Sequence, residues 1–265
     1  MVRGLVLRPL LFYFFGVGKY TTQLVYVHIN LWIQKYFFEK KENSNMIIGL
    51  SNTNLTRDKF GFEEKSFLDY FFEFCRKEGF KFIELNPRYN TVGLGFNISK
   101  LEMIKNRLKE LSIESSIHSL TDFIEVCHPL KFFRKVSLEM IKTHLKIASL
   151  IEAKFLILHL GRIGRVETHV RVLKECEKLA RDLGISLLIE NSGKRKTKKK
   201  CEDEFQILVD NLDANIVFDV GHAWRALHNG YLSSLEEFIE RFKDRIIYSH
   251  FHDNNGKRDL HLPLG

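Results

Sequence analysis

Residues that can bind metal ions stand at the end of one apolar segment after another. They are His118, His159, Glu190, Asp219, His222, His250, His252, Asp253, Asp259 and His261. A single histidine in such a position is more often a hydrogen-bonded residue than a ligand. Five consecutive segments that end in this way predict one shared metal site, because buried carboxylates and imidazoles are costly unless cations neutralise them.

The mixture of imidazole and carboxylate groups indicates which ions to expect. This set suits zinc, manganese, iron or cobalt better than magnesium or calcium, which prefer oxygen. We expect divalent ions, zinc or manganese first, at two or three sites, with Glu190 as the bridge between two of them. Asp253 could orient a ligand or contact substrate, and the ring of His252, which alternates with His250, can point away.

The apolar segments themselves have the pattern of parallel βα units. Each is a nearly continuous hydrophobic run, as in strands that are buried on both faces, and amphipathic helical patterns separate them. The predicted strands are 47–50, 82–85, 115–118, 155–160, 186–190, 216–220 and 246–252. Because the carboxyl ends of parallel strands meet on one face of a barrel, residues about 140 positions apart can share one ion.

Local signals mark where several of the helices begin and end. Ser99 with Glu102, and Ser233 with Glu236, have the spacing of a capping box at a helix start. Gly79 and Gly184 stand where a left-handed residue would end a helix and lead into the next strand.

The fold predicted from this pattern is α/β, a (β/α)8 TIM barrel that is truncated before its eighth strand. The 265 residues end after seven strand candidates. A missing strand would leave the first and seventh strands with open edges. A truncated reading frame and a natural seven-stranded form both fit this reading.

Residues 1–45 differ in character from residues 46–265. They are rich in Phe, Tyr, Leu and Val without clean periodicity, and we expect an extension outside the fold. A membrane or targeting segment and a packed addition are the alternatives, since the longest apolar run there is about half of what a membrane helix needs. The barrel is expected to occupy residues 46–265. Contact with a membrane is expected only if residues 1–45 are a genuine membrane segment.

Charge and cysteine content bear on partners and compartment. The four cysteines form no CxxC pair, which favours reduced thiols in a cytoplasmic protein. The net charge of +8 comes largely from one basic run between residues 194 and 200. That run is either a solvated loop or a phosphate or nucleic-acid contact through Lys194 and Arg195. The sequence gives no oligomeric state.

The motifs that contain these residues resemble a known family. LHLG around His159, IEN ending in Asn191, FDVGHA from Phe218 and HFHDNNGKRDLHLPLG from His250 are similar to the xylose-isomerase-like superfamily. That superfamily includes sugar-phosphate isomerases and epimerases and also endonuclease IV. The resemblance covers residues 46–265, about four-fifths of the chain.

The resemblance to endonuclease IV implies three ion sites. His118, His159 and Glu190 would bind one ion; Glu190, Asp219 and His250 a second; and His222, Asp259 and His261 a third. The family's remaining ligand, a glutamate on the eighth strand, has no counterpart in this sequence. Leu160 stands where endonuclease IV has proline, which is a departure from that family. The HDNNG motif is more similar to the isomerase and epimerase branch.

Three functions follow from the resemblance. The first is a metal-dependent isomerase or epimerase that acts on a sugar or sugar phosphate through an enediolate, with Glu190 as ligand and acid/base. The second is a phosphodiesterase that cleaves DNA at abasic sites. The third is a metal-binding barrel without catalysis. Fold similarity alone does not decide among them.

Overall fold

The structure, a computed structural model, describes residues 49–51, 64–87, 98–119, 124–193, 195–196 and 198–261. Residues 1–45 lie outside this range, so the division into an extension and a barrel stays a prediction.

Strands and helices alternate along the described chain. The strands are β1 (Gly49–Ser51), β2 (Phe82–Leu85), β3 (Glu114–His118), β4 (Phe155–His159), β5 (Ser186–Glu190), β6 (Asn215–Asp219) and β7 (Ile246–His250). The helices are α1 (Glu64–Lys77), α2 (Ile98–Leu111), α3 (Lys131–Leu150), α4 (Val166–Asp182), α5 (Cys201–Asn211), α6 (Val220–His228) and α7 (Leu235–Phe242).

The seven strands form one parallel sheet in the order of the sequence, from β1 to β7. This confirms the prediction of seven βα-type strands in an α/β barrel fold. The sheet is curled, since the hydroxyl of Tyr248 on β7 lies 3.2 Å from a carboxylate oxygen of Glu84 on β2. Within the described residues, β1 and β7 are the edges of the sheet.

Element boundaries differ from the predicted ones in ways that matter for the site. β7 ends at His250 rather than at residue 252, and Val220, predicted as strand, begins α6. Gly79 and Gly184 follow their helices with φ of 79° and 71°, as predicted. The cap of α7 is Ser234, whose side chain accepts a hydrogen bond from the backbone N–H of Glu237, one position later than predicted. The predicted cap Ser99 lies inside α2.

The barrel interior is divided into an apolar layer and a polar layer. Ile157, Leu188 and Val217 form a fully buried cluster against which Tyr248 packs. Side chains two residues apart on a strand point to the same face. The next inward positions on these four strands are therefore His159, Glu190, Asp219 and His250, all at the carboxyl ends. The core thus supports the polar residues from below.

Arg195, a candidate phosphate contact in the basic run, does not lie on the surface. Its side chain is buried and forms an ion pair with Glu204 of α5, with an Nη1–Oε2 distance of 2.6 Å. It also donates to the carbonyls of Gly161 and Gly164, at 2.8 and 2.9 Å. Each of the three guanidinium nitrogens makes one of these contacts, which together hold the loop after β4 against α5. Lys194 lies outside the described residues.

The other basic residues of the run that the structure describes are exposed. They are Lys196, Lys198, Lys199 and Lys200. The interpretation of the run as a solvated loop therefore fits these lysines but not Arg195, which is buried. All four cysteines are unpaired, and no helix in the described part of the chain is both long and apolar enough to cross a membrane.

Breaking the buried ion pair should destabilise the fold. We expect Arg195→Gln to lower the free energy of unfolding by about 3 to 5 kcal/mol, because Glu204 would be left buried without its partner. Lys196→Gln, an exposed neighbour, should change it by less than about 0.5 kcal/mol. Urea unfolding followed by circular dichroism measures both. Equal effects of the two substitutions would contradict the structural role of Arg195.

Candidate metal centre

The first donor group joins β3, β4 and β5. The Nε2 atoms of His118 and His159 lie 3.0 and 2.8 Å from Oε2 of Glu190 and 3.3 Å from each other. Ligands of a tetrahedral zinc ion at about 2.0 to 2.1 Å stand roughly 3.3 Å apart. Nδ1 of His118 donates to the carbonyl of Ser119 at 3.1 Å, which leaves the lone pair on Nε2 for an ion.

The second donor group joins β5, β6 and β7. Nδ1 of His250 lies 3.3 Å from Oε1 of Glu190 and 3.6 Å from Oδ2 of Asp219. Glu190 therefore directs one oxygen toward each of the first two groups. A carboxylate placed in this way would be able to contribute one oxygen to an ion in each group.

Asn191 fixes the position of Asp219. Its side-chain amide donates to the carbonyl of Asp219 at 2.9 Å and accepts from the backbone N–H of Asp219 at 2.7 Å. Oδ1 of Asp219 also caps α6 by accepting from the backbone N–H of His222 at 2.6 Å. Asn191 of the IEN motif thus fixes Asp219 of the FDVGH motif, and Asp219 in turn fixes the start of the helix that carries His222.

The third donor group lies on α6 and on the segment after β7. Oδ2 of Asp259 is 3.0 Å from Nε2 of His222, and Oδ1 is 3.3 Å from Nε2 of His261. Nδ1 of His222 donates to the carbonyl of Asn191 at 3.0 Å, so Nε2, beside Asp259, is the nitrogen that would bind an ion. Asp259 and His261 are exposed, whereas the first two groups are largely buried.

His252 points into the site, where sequence reasoning allowed it to point away. Its Nε2 lies 3.0 Å from Oδ1 of Asp219, and its ring stacks on that of His261 with centroids 4.1 Å apart. The alternation argument fails because β7 ends at His250, two residues earlier. His252 joins His222, Asp259 and His261 in one cluster of donor atoms that lie within 4.8 Å of one another.

Glu84 is a site residue that sequence reasoning missed. It is buried on β2, and its Oε2 lies 2.8 Å from Nε2 of His250. Glu84, His118 and His250 form a fourth cluster of donor atoms. The available signal was a lone glutamate inside the apolar strand FIEL, at the penultimate rather than the last position.

The charges of the site balance one another. Burial alone would raise the pKa of Glu190, but His159, His250 and His118 outweigh it and hold this pKa well below its usual range. Burial likewise opposes the charge on His250, and Glu84 and Glu190 raise its pKa well above the usual value. Divalent ions would replace the protons that link these groups, so the residues present fit such ions.

Asp253 stands apart from the donor groups. It is partly exposed, it belongs to none of the four clusters in the described chain, and burial raises its pKa. Its contact with substrate stays a prediction. The eight predicted ligands all fall within the first three clusters: His118, His159, Glu190, Asp219, His222, His250, Asp259 and His261.

Two curated relatives are uncharacterised proteins of Methanocaldococcus jannaschii. One is 26% identical over 139 residues, which are 50% of this chain and 53% of the relative. The other is 25% identical over 185 residues, which are 64% of this chain and 60% of the relative. The chain therefore spans between half and two thirds of the length of these relatives.

Several solved structures have the same fold. A D-tagatose 3-epimerase-like protein superposes with a TM-score of 0.64 at 20% identity, covering 83% of this chain and 81% of its own. D-psicose 3-epimerase from Clostridium cellulolyticum H10, solved with D-tagatose, gives 0.61 at 15%, covering 83% and 77%. A Thermus thermophilus protein soaked with ZnCl2 gives 0.59 at 16%, covering 84% and 83%.

The family comparison agrees with the fold and with the resemblance seen in the motifs. Residues 72–265 match the family model described as xylose isomerase-like TIM barrel. The match covers more than half of the chain and includes β2 to β7, and with them all four donor clusters. The protein belongs to the xylose isomerase-like TIM barrel family.

Proposed function

We propose that this protein is a divalent-metal-dependent enzyme that isomerises or epimerises a sugar or sugar phosphate. The observation that carries the proposal is the carboxylate of Glu190, which directs one oxygen to each of two donor groups at the carboxyl ends of the strands. That end of a TIM barrel holds the active site in enzymes of this fold. Sugar epimerases among the solved structures of this fold support the reaction class.

The chain's own residues would bind and orient the reacting groups. Glu190, Asp219 and His250 would hold an ion that supplies Lewis acidity toward the carbonyl and hydroxyl oxygens of the sugar. Glu190 is assigned a second role, moving the proton on the carbon next to the carbonyl, which yields the enediolate. Both of its oxygens lie beside imidazole nitrogens, so its role as ligand is the better supported of the two.

A sugar is better supported as substrate than a sugar phosphate. The proposal of a phosphate contact rested on Lys194 and Arg195, and the guanidinium of Arg195 is committed to Glu204, Gly161 and Gly164. The exposed lysines that follow it could still attract an anion, but only as solvated charges.

The third donor group favours a second candidate function, cleavage of DNA at abasic sites. His222, His252, Asp259 and His261 offer a further ion site at the exposed edge of the centre. A cluster of metal ions can activate a water and stabilise the leaving oxygen of a phosphodiester. The exposed lysines after β5 would add to the attraction for DNA.

Metal binding is the first test. We expect the purified full chain to bind two or three Zn²⁺ or Mn²⁺ ions and Glu190→Gln to bind about two fewer, because one carboxylate serves two donor groups. Inductively coupled plasma mass spectrometry measures the ratio of ions to chain. Glu110→Gln, a substitution on the exposed face of α2, is the control and should bind as the wild type does. An unchanged ratio in Glu190→Gln would remove the proposed site.

Isotope exchange separates the two candidate reactions. The metal-loaded enzyme in D₂O should incorporate deuterium at the carbon beside the carbonyl of ketohexoses such as D-tagatose and D-psicose, and EDTA should abolish the incorporation. Mass spectrometry of the sugar measures it. Cleavage of an oligonucleotide with one abasic site, without exchange into any sugar, would instead establish the phosphodiesterase.

The third group can be tested through Gly221, which lies beneath the ring of His252. A Cβ at position 221 would lie 2.6 Å from both ring nitrogens of His252. An alanine inside a helix is usually more stable than glycine by about 0.5 to 1 kcal/mol. Any loss caused by Gly221→Ala in α6 would therefore come from crowding against His252.

We expect Gly221→Ala to bind one ion fewer than the wild type, with the first two groups still occupied. Ion content by mass spectrometry and thermal unfolding are measured together. Gly193→Ala, where the three atoms nearest to the added methyl all belong to the side chain of Arg225, is the matched control. Full ion content in Gly221→Ala would exclude His252 from the third group.

A further inference from the structure

Glu84 lies where none of the ligands implied by the resemblance stands. Its carboxylate is buried on β2, on the same inward face as Phe82, and faces β7 across the barrel. Three donors from two strands, β1 and β7, approach it. Oε2 accepts from Nε2 of His250 at 2.8 Å and from the hydroxyl of Tyr248 at 3.2 Å, and Oε1 accepts from the hydroxyl of Ser51 at 3.2 Å.

The ring of His250 lies between this carboxylate and the other two residues of the second donor group, Glu190 and Asp219. Its Nε2 faces Glu84, whereas its Nδ1 lies 3.3 Å from Oε1 of Glu190 and 3.6 Å from Oδ2 of Asp219. A neutral imidazole carries one proton, and the nitrogen without it has the lone pair that binds a metal. A group that accepts the hydrogen of Nε2 therefore leaves the lone pair on Nδ1, which faces Glu190 and Asp219.

We propose that Glu84 is the positioning residue of the second metal site. By accepting the hydrogen of Nε2, its carboxylate fixes the tautomer and the ring orientation of His250, so that Nδ1 is the ligand atom. This inference rests on the proposed function, because it assigns a role within the same metal centre. Ser51 on the neighbouring strand β1 and Tyr248 on β7, across the barrel, hold the carboxylate in place.

A direct ligand role for Glu84 is the competing reading of the fourth cluster, which groups Glu84 with His118 and His250. The contacts of His118 argue against it. Its Nε2 already faces Oε2 of Glu190 at 3.0 Å and Nε2 of His159 at 3.3 Å, and its Nδ1 donates to a backbone carbonyl. An ion beside Glu84 would have to withdraw both His118 and His250 from the groups they now complete.

Zinc titration of the full chain distinguishes the two roles. With Glu84→Gln we expect the same number of bound Zn²⁺ ions, with the affinity for one of them reduced about 10- to 100-fold, as for other residues that orient a metal-bound histidine. Loss of one whole ion would make Glu84 a ligand and overturn the positioning role. Unchanged affinity would overturn it as well. Glu114→Gln, half-exposed on β3 beside Lys154, is the control and should match the wild type.

The tautomer of His250 gives a readout that a purely structural role would not move. In ¹⁵N-labelled, zinc-loaded wild type, long-range ¹H–¹⁵N correlation spectra should show the proton of His250 on Nε2, with the signals assigned by their loss in His250→Asn. Glu84→Gln should weaken this preference, and Glu114→Gln should keep it. A proton on Nδ1 in the wild type would overturn the inference without touching the proposed function. A wild type that binds no zinc would overturn both.

Discussion

The carboxylate of Glu190 is buried among four imidazoles, and the arrangement of the barrel follows from that. Its two oxygens lie within 3.3 Å of ring nitrogens from His118, His159, His222 and His250. An isolated carboxylate at this depth would be costly to bury. Imidazoles from β3, β4, α6 and β7 must therefore reach the same height as this carboxylate, which constrains the relative positions of these elements.

The apolar core below this polar layer keeps the polar side chains at a constant position along the barrel. The rings of Phe82, Phe155 and Tyr248 meet with centroid distances between 5.8 and 6.2 Å, next to the aliphatic cluster of Ile157, Leu188 and Val217. Such packed cores resist small displacements. The candidate ligands His159, Glu190, Asp219 and His250 follow Ile157, Leu188, Val217 and Tyr248 by two positions on the same strands, so the rigidity of the core is passed directly to the candidate metal centre.

The outer part of the centre depends on different elements. The third donor group takes its residues from α6 and from the chain after β7. Asn254 ties that chain to α6 by donating to the carbonyl of Gly221 at 2.7 Å. Elsewhere on the same face, Arg195 and Glu204 hold the loop after β4 by a buried ion pair. Here single side-chain contacts, rather than sheet packing, set the positions.

The amino-acid pattern predicted the seven strands, their parallel order and the set of residues at their carboxyl ends. It could do so because buried parallel strands are apolar runs, and a polar residue at the end of each stands out. Which side chains face one another depends on how the strands and helices pack in three dimensions. Glu84 was hidden because its partner His250 lies 166 positions away, His252 because β7 ends before it, and Arg195 because its partner Glu204 lies on another element. Local patterns report a residue's own strand or helix, whereas pairing across the barrel depends on how the elements pack.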